Sequence, residues 1–377
     1  MNRFATICIL EQVGSCFKIL KKHISRKANL GYVLVISFSI VFFSISYVTA
    51  INKIQAIYID QVYQKGELVA SSGTKSIQVF LEMTENSLLM LSRCPHIINQ
   101  STDTQKSLDE FVMDWAGTPI IGVALFDKDG VARYVTNNIG DETDGMVDNL
   151  DVNNRDYFVW AETAIESDTY LGKPLLPKAI SPNLQLILPV VTPIYRNGEF
   201  DGALLMSISL PKLTSSYLNP LQVSPQGRVY LMHPDSTIMA TMPGYEGLVG
   251  LNYVKYLHNN PYPGNEDVIQ ELKKALDDEK GGKLDIVLYS PVDEDFVRFL
   301  IVYYPVLHGG NHWTVVLAIP FDDINNSLTP FKKGGILIIS LIVVMAISSS
   351  TVGTLLNRLS RTIIYLHSTK SKKENRN

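Results

Sequence analysis

The chain has 377 residues, enough for roughly two to three domains, and its 46% hydrophobic content supports cores of ordinary size. Its net charge of −4 hides an asymmetry: residues 1–27 and 358–377 each carry six Lys/Arg against one acid, so the 33 basic and 37 acidic residues leave 21 and 35 between these tails, a net of −14. A region this acidic does not neutralise phosphates, which excludes nucleic acid as a partner. With Cys94 alone outside the first tail, the region also has no pair for an intramolecular disulfide.

In chain order, residues 1–27 form a basic tail, and residues 28–52 carry no charge over a length that crosses a bilayer. A cleaved signal peptide is the alternative for this segment, but the charged lead and the uncharged run are both long for one. Residues 53–104 are expected to hold a long helix, since Ile54, Ile57, Tyr58, Val62, Val69, Ile77, Phe80, Leu81, Thr84, Leu88 and Leu91 recur at helical spacing and no proline intervenes before Pro95. The texture then becomes β-like. "IGVALFDKDGVARYVT" (121–136) reads as strand, turn and strand, and "GRVYLMHPDSTIMATM" (227–242) repeats it, Val123, Leu125 and Phe126 matching Val229, Leu231 and Met232.

The halves also end alike. "TPIYRNGEFDGALLMSIS" (192–209) aligns with "YPVLHGGNHWTVVLAIPF" (304–321), pairing Pro193 with Pro305, Asn197-Gly198 with Gly309-Gly310, and Ala203-Leu204-Leu205 with Val315-Val316-Leu317. An internal duplication is the economical explanation, with one module over 105–218 and a second over 219–331. Residues 334–357 form a second uncharged span and 358–377 a short basic tail. Basic flanks stay in the cytoplasm, so both tails are expected inside and the acidic region exported from an inner membrane.

No nucleophile elbow, phosphate loop or zinc signature occurs, and the reading is of a chain that is not an enzyme, with no cofactor or metal. His308 and His312, in "HGGNH", look like a metal pair, but the duplication sets them opposite the ordinary "RNGEF", so they read as solvated turn residues. Arg155, in "DVNNRDYFVWA", is either a surface residue paired with Asp151 or Asp156, or a fork for an anionic ligand among aromatics.

A long helix, two successive α/β modules and a span at each end resemble the double Cache (dCache) sensor domains of bacterial chemoreceptors, sensor kinases and cyclases. The residues that carry this are "NNRDYFVWA" (153–161), "LPVVTPIYRNGEFDGALLMSISL" (188–210), "GRVYLMHPDSTIMA" and "YYPVLHGGNHWTVVLAIP". The resemblance implies an α+β fold in which the long N-terminal helix carries two tandem PAS-like (Cache) modules flanked by two transmembrane helices. It further implies a small-molecule ligand in the membrane-distal module, where Arg155 clamps a carboxylate while Tyr157 and Phe158 wall the site and Tyr157 offers a hydroxyl. Tyr170 and Lys173, in "TYLGK", are further candidates, with a solvated loop as the alternative.

The amino-acid-binding subgroup of that family places an aspartate for the ligand's ammonium at the position of Ser207, and Trp-Tyr where this chain has Tyr157 and Phe158. The departure points to an organic acid rather than an amino acid, because an ammonium without an acid would be buried poorly paired. With only 20 residues after the second span, no signalling output is expected within this sequence. The expected partners are therefore the lipid bilayer and either a second copy of the chain or a separate signalling protein. A tethered solute-binding accessory to a transporter and a truncated receptor are the alternatives.

Overall fold

The computed structural model describes residues 30–137, 150–177, 186–262, 264–308 and 311–374. They fall into two compact units, one made of the residues up to Ile59 together with those from Asn325 onward, the other Asp60–Ile324. Helix α1 (Leu30–Ser92) and helix α8 (Phe321–Glu374) supply the first unit. Each contains a stretch long and apolar enough to cross a membrane. Side chains such as Phe38, Phe42, Ile45, Leu337, Leu341 and Val344 are left exposed there. The two helices meet where the Tyr47 hydroxyl donates to the Lys332 carbonyl at 2.8 Å.

In the second unit, α1 ends at Ser92 rather than running on to 104. Pro95 lacks the N–H that a continuing helix needs, and the chain restarts as α2 (Pro95–Ile98) and α3 (Thr104–Asp114). From Ile77 on, the apolar spacing read from the sequence is a buried stripe of α1, with Ile77, Leu81 and Leu88 wholly buried, whereas Ile54 and Ile57 at its start are exposed. Tyr63 and Gln78 tie the same helix to strand carbonyls of Leu284 and Leu307.

Two antiparallel five-stranded sheets follow. The first contains β1 (Ile120–Asp127), β2 (Ala132–Asn137), β3 (Tyr170–Leu171), β4 (Ile187–Arg196) and β5 (Glu199–Ser209), in the order β2-β1-β5-β4-β3. The second contains β6 (Arg228–Met232), β7 (Ile238–Thr241), β8 (Gly282–Ser290), β9 (Asp295–His308) and β10 (Asn311–Pro320), in the order β7-β6-β10-β9-β8. The orders correspond strand for strand. One face of the first sheet packs on helix α4 (Asp156–Ala161). The same face of the second packs on α6 (Tyr253–Asn259) and α7 (Asn265–Leu276), with the short α5 (Leu210–Leu213) between the sheets in sequence.

The correspondence corrects the alignment in one strand. Between Ile194 and Tyr195 the β4–β5 ladder slips, because Asp201 is an extra, bulged residue opposite the regular register. Gly202, beside it, has φ +145, and a Cβ there would lie 2.0 Å from the Phe126 carbonyl oxygen, so only glycine fits. Beyond the bulge the match moves by one residue. Leu204, on the face opposite Leu205, corresponds to Val315, and Ser207 to Ala318, as the ladders Leu125↔Leu204 and Leu231↔Val315, Gly122↔Ser207 and Arg228↔Ala318 require.

His308 is not a solvated turn residue. Its Nε2 lies 2.8 Å from a Glu85 carboxylate oxygen on α1, and both side chains are mostly buried. His312 lies four residues on, in β10, and no group of three metal-ligating side chains occurs among the described residues. The bond to Glu85 raises the His308 pKa above its ordinary 6.5 against the opposing effect of burial. A pKa raised by folding contributes stability that is complete below the unfolded value near 6.5 and fades as pH rises through the folded value. His308→Gln should therefore lower the unfolding midpoint most at pH 5–6, below the unfolded value, and least in alkaline buffer. A deficit independent of pH would show that the pair is not charged.

Candidate ligand site

The site grows from the turn after β1. Asp127 accepts backbone N–H bonds from Asp129 and Val131 and pairs with Arg133, which closes the turn. Gly130, at φ +80, has Asn153 against it, where a Cβ would come within 2.7 Å of the Asn153 nitrogen. The Val131↔Asp151 bridge and the bond from Val152 N–H to the Gly130 carbonyl lay the segment before Arg155 along the turn. Asp151 then accepts from Asn153 N–H at 2.9 Å, and Arg155 stands in extended conformation at the start of α4. A sharp turn and a reversed loop thus fix where Arg155 leaves the backbone.

Helix α4 lays its apolar side on the sheet. Phe158 is 0% exposed and makes edge contacts with Phe126 and Phe200, at centroid distances of 6.5 and 6.0 Å. The Tyr157 ring is also buried, yet among the described residues its hydroxyl has no hydrogen-bond partner, and burial pushes its pKa up to about 12. The neighbouring Arg155 charge opposes that rise. Trp160 stacks on Tyr170 at 5.2 Å, and the Tyr170 pKa is raised by burial first and then by the Asp156 carboxylate. Lys173 is exposed, just past β3.

The sheet below supplies a floor of small residues. Gly122, Ser207 and Pro189 are register neighbours across β1, β5 and β4, and Gly172 N–H bonds the Pro189 carbonyl at 2.8 Å. The adjacent row, Ala124, Leu205 and Val191, belongs to the core beneath Tyr157 and Phe158. Ser207 is half-buried, and by the alternation of the strand it shares the face of Leu205.

The Arg155 side chain makes one long hydrogen bond among the described residues, from Nη2 to the Leu176 carbonyl at 3.5 Å, and pairs with no carboxylate there, neither Asp151 nor Asp156. The structure brings Arg155, Tyr157 and Tyr170 together around Asp156, sets Ser207 in the floor, packs Phe158 into the core and leaves Lys173 outside. The floor residues Gly122, Pro189 and Gly172 went unread in the sequence. Their signal was available: two glycines and a proline, in or just beyond strands otherwise filled with large apolar residues.

No protein-family model matches the sequence, and no curated protein does. Among solved structures the chain is similar to the extracellular domain of a protein described as a histidine kinase, with 13% identity over 73% of this chain and 96% of that one and a TM-score of 0.51. It is similar to a domain of a sensory box/GGDEF family protein from Vibrio parahaemolyticus, with 11% identity over 71% and 99% and a TM-score of 0.50. It also matches the ligand-binding domain of the Pseudomonas aeruginosa amino-acid chemoreceptor PctB in complex with L-Arg, with 16% identity over 70% and 97% and a TM-score of 0.50. Identities this low speak for the fold. The chain has the fold of sensor ligand-binding domains of the double Cache type.

Proposed function

We propose that the chain is a membrane-anchored extracytoplasmic sensor whose first sheet, the membrane-distal Cache module, binds a small carboxylate-bearing ligand between α4 and the floor of Gly122 and Ser207. The observation that carries this is Arg155: a partly exposed arginine, paired with no carboxylate among the described residues, beside a Tyr157 hydroxyl that also lacks a partner. Both groups suit an incoming carboxylate, one as a fork and one as a donor. Ser207, in place of an acid, favours a ligand without an amine. PctB, an amino-acid chemoreceptor by name, makes the amine-bearing class the competing outcome.

The exposed apolar faces of α1 and α8 support membrane anchoring, since an apolar patch of that extent is covered in a folded protein, and a helix satisfies its own backbone in lipid. Leu68, Val79 and Met90 recur every eleven residues on α1, with Met83 on the same exposed stripe. An eleven-residue apolar repeat suits a helix supercoiling with a second copy, which supports a homodimer.

The test uses the full chain in lipid nanodiscs. Short carboxylic acids, amino acids and the amide of each are screened by thermal unfolding and then by calorimetry. Acids are expected to raise the midpoint while their amides do not. Equal binding of acid and amide would remove the carboxylate clamp. Spin labels at Lys53 and Lys332 report whether binding moves the spans; a distance unchanged by a bound ligand would favour the tethered accessory over the sensor.

A further inference from the structure

The second sheet carries a cavity of about 50 Å³ on the face that corresponds to the candidate site, lined by Arg228, Tyr230, Leu248, Tyr253, Ser290 and Ala318 among others. By the ladders, Arg228 stands where the first sheet has Gly122, and Ala318 where it has Ser207. A small-residue floor in one sheet is thus a cation in the other.

Arg228 is only 6% exposed. Its Nη1 donates to Ser290 Oγ at 2.9 Å and its Nη2 to Asp293 Oδ2 at 2.5 Å, while the guanidinium lies 5.2 Å from the Phe299 ring centroid and 5.3 Å from that of Tyr245. Its Nε is buried without a hydrogen-bond partner. An unpaired N–H on a buried cation is costly, and such groups are normally satisfied. Nε and Nη2 together form the edge of a guanidinium that takes a carboxylate through two parallel bonds. Asp293 engages half of that edge, from the turn between β8 and β9, and its side chain is 36% exposed.

The remaining walls are apolar, apart from the tyrosines. Burial pushes the Tyr230 pKa up to about 12, against the opposing charge and hydrogen bond of Arg228, and raises that of Tyr253 as well. The volume exceeds the roughly 10–15 Å³ that one water needs, and it suits a carboxylate with a short alkyl tail rather than a larger metabolite.

We propose that this cavity is a second ligand site, specific for a monocarboxylate of two or three carbons, which binds the Nε and Nη2 edge of Arg228 and displaces Asp293 toward solvent. The alkyl end then lies against Leu248, Leu272 and Val316. This site is separate from the one at Arg155 and does not depend on it.

The probe is propionate against the full chain in nanodiscs, read by thermal unfolding at constant ionic strength with chloride as the control. At ten times its dissociation constant, propionate is expected to raise the midpoint of the residues 60–324 unit by about 2–3 °C. Arg228→Met should abolish the shift. Asp293→Asn should instead strengthen binding, because the internal competitor is lost while the guanidinium stays. Ala318→Val, which fills the cavity and keeps Arg228, provides a second loss of binding if Arg228→Met does not fold. All of these are read on an Arg155→Ala background, which removes any contribution of the first site to the shift, and the propionate shift should persist on that background. No shift with propionate, a shift retained in Arg228→Met or Ala318→Val, or a shift lost on the Arg155→Ala background would each overturn the proposal.

Discussion

Arg155→Ala is expected to weaken binding of a carboxylate ligand by about 2–5 kcal/mol while leaving the fold unchanged. The size follows from what remains after the substitution: a carboxylate held against the Tyr157 ring and the Gly122 and Ser207 floor, with no cation to offset its lost hydration. The fold survives because the Arg155 side chain supports nothing else; its one described hydrogen bond is the long one to the Leu176 carbonyl. Arg155→Lys should also bind more weakly, although charge is kept, because an ammonium has no pair of parallel donors. Ser207→Asp should shift preference toward amine-bearing ligands. Calorimetry on the full chain in nanodiscs measures all three, and an Arg155→Ala variant that binds as tightly as the parent makes Arg155 an ordinary surface residue.

Phe158→Ala should cost about 3–5 kcal/mol of folding stability, the range for a fully buried aromatic removed from a packed core. Phe158 touches Phe126 and Phe200 at once, so its loss leaves a void where β1, β5 and α4 meet. Its neighbour makes the contrast. Tyr157→Phe removes a hydroxyl without a partner among the described residues and should change stability by less than about 1 kcal/mol, while binding falls if that hydroxyl meets the ligand. Denaturant titration separates the two. A Phe158→Ala protein as stable as the parent would place that ring in the pocket wall and not in the core.

What the sequence showed and what it hid divide along physical lines. The helical stripe of α1, the turn at Asp127–Gly130 and the repeated strands are short-range patterns, and the structure has them where periodicity and turn chemistry put them. The β4 strand aligns with β9 as read, and the pairs Arg196↔Glu199 and His308↔Asn311 correspond, while Gly309-Gly310 lie outside the described residues. The alignment failed in β5 alone, because a bulge at Asp201 adds a residue without any change of composition. The same blindness applies to distant pairs. His308 finds Glu85 across more than two hundred residues, and Arg228 finds Asp293 65 residues on, at the turn between β8 and β9; neither arginine nor histidine advertises its partner. Arg155 was legible because aromatics sit beside it in sequence, whereas Arg228 sat in a strand and drew no notice.

The pairing of β1 with β5, and of β6 with β10, has a consequence for assembly as the chain emerges. In each sheet the first strand made must wait for the last, roughly 80 residues later, before its inner edge is covered, a long closure that slows folding. Until Ser209 is out, the apolar edge of β1 stays open; after it, the first sheet is complete while β10 is still unmade. Each half therefore reaches its own ladder independently, and an arrested chain ending between Ser209 and Arg228 should already protect the β1 amides from hydrogen exchange.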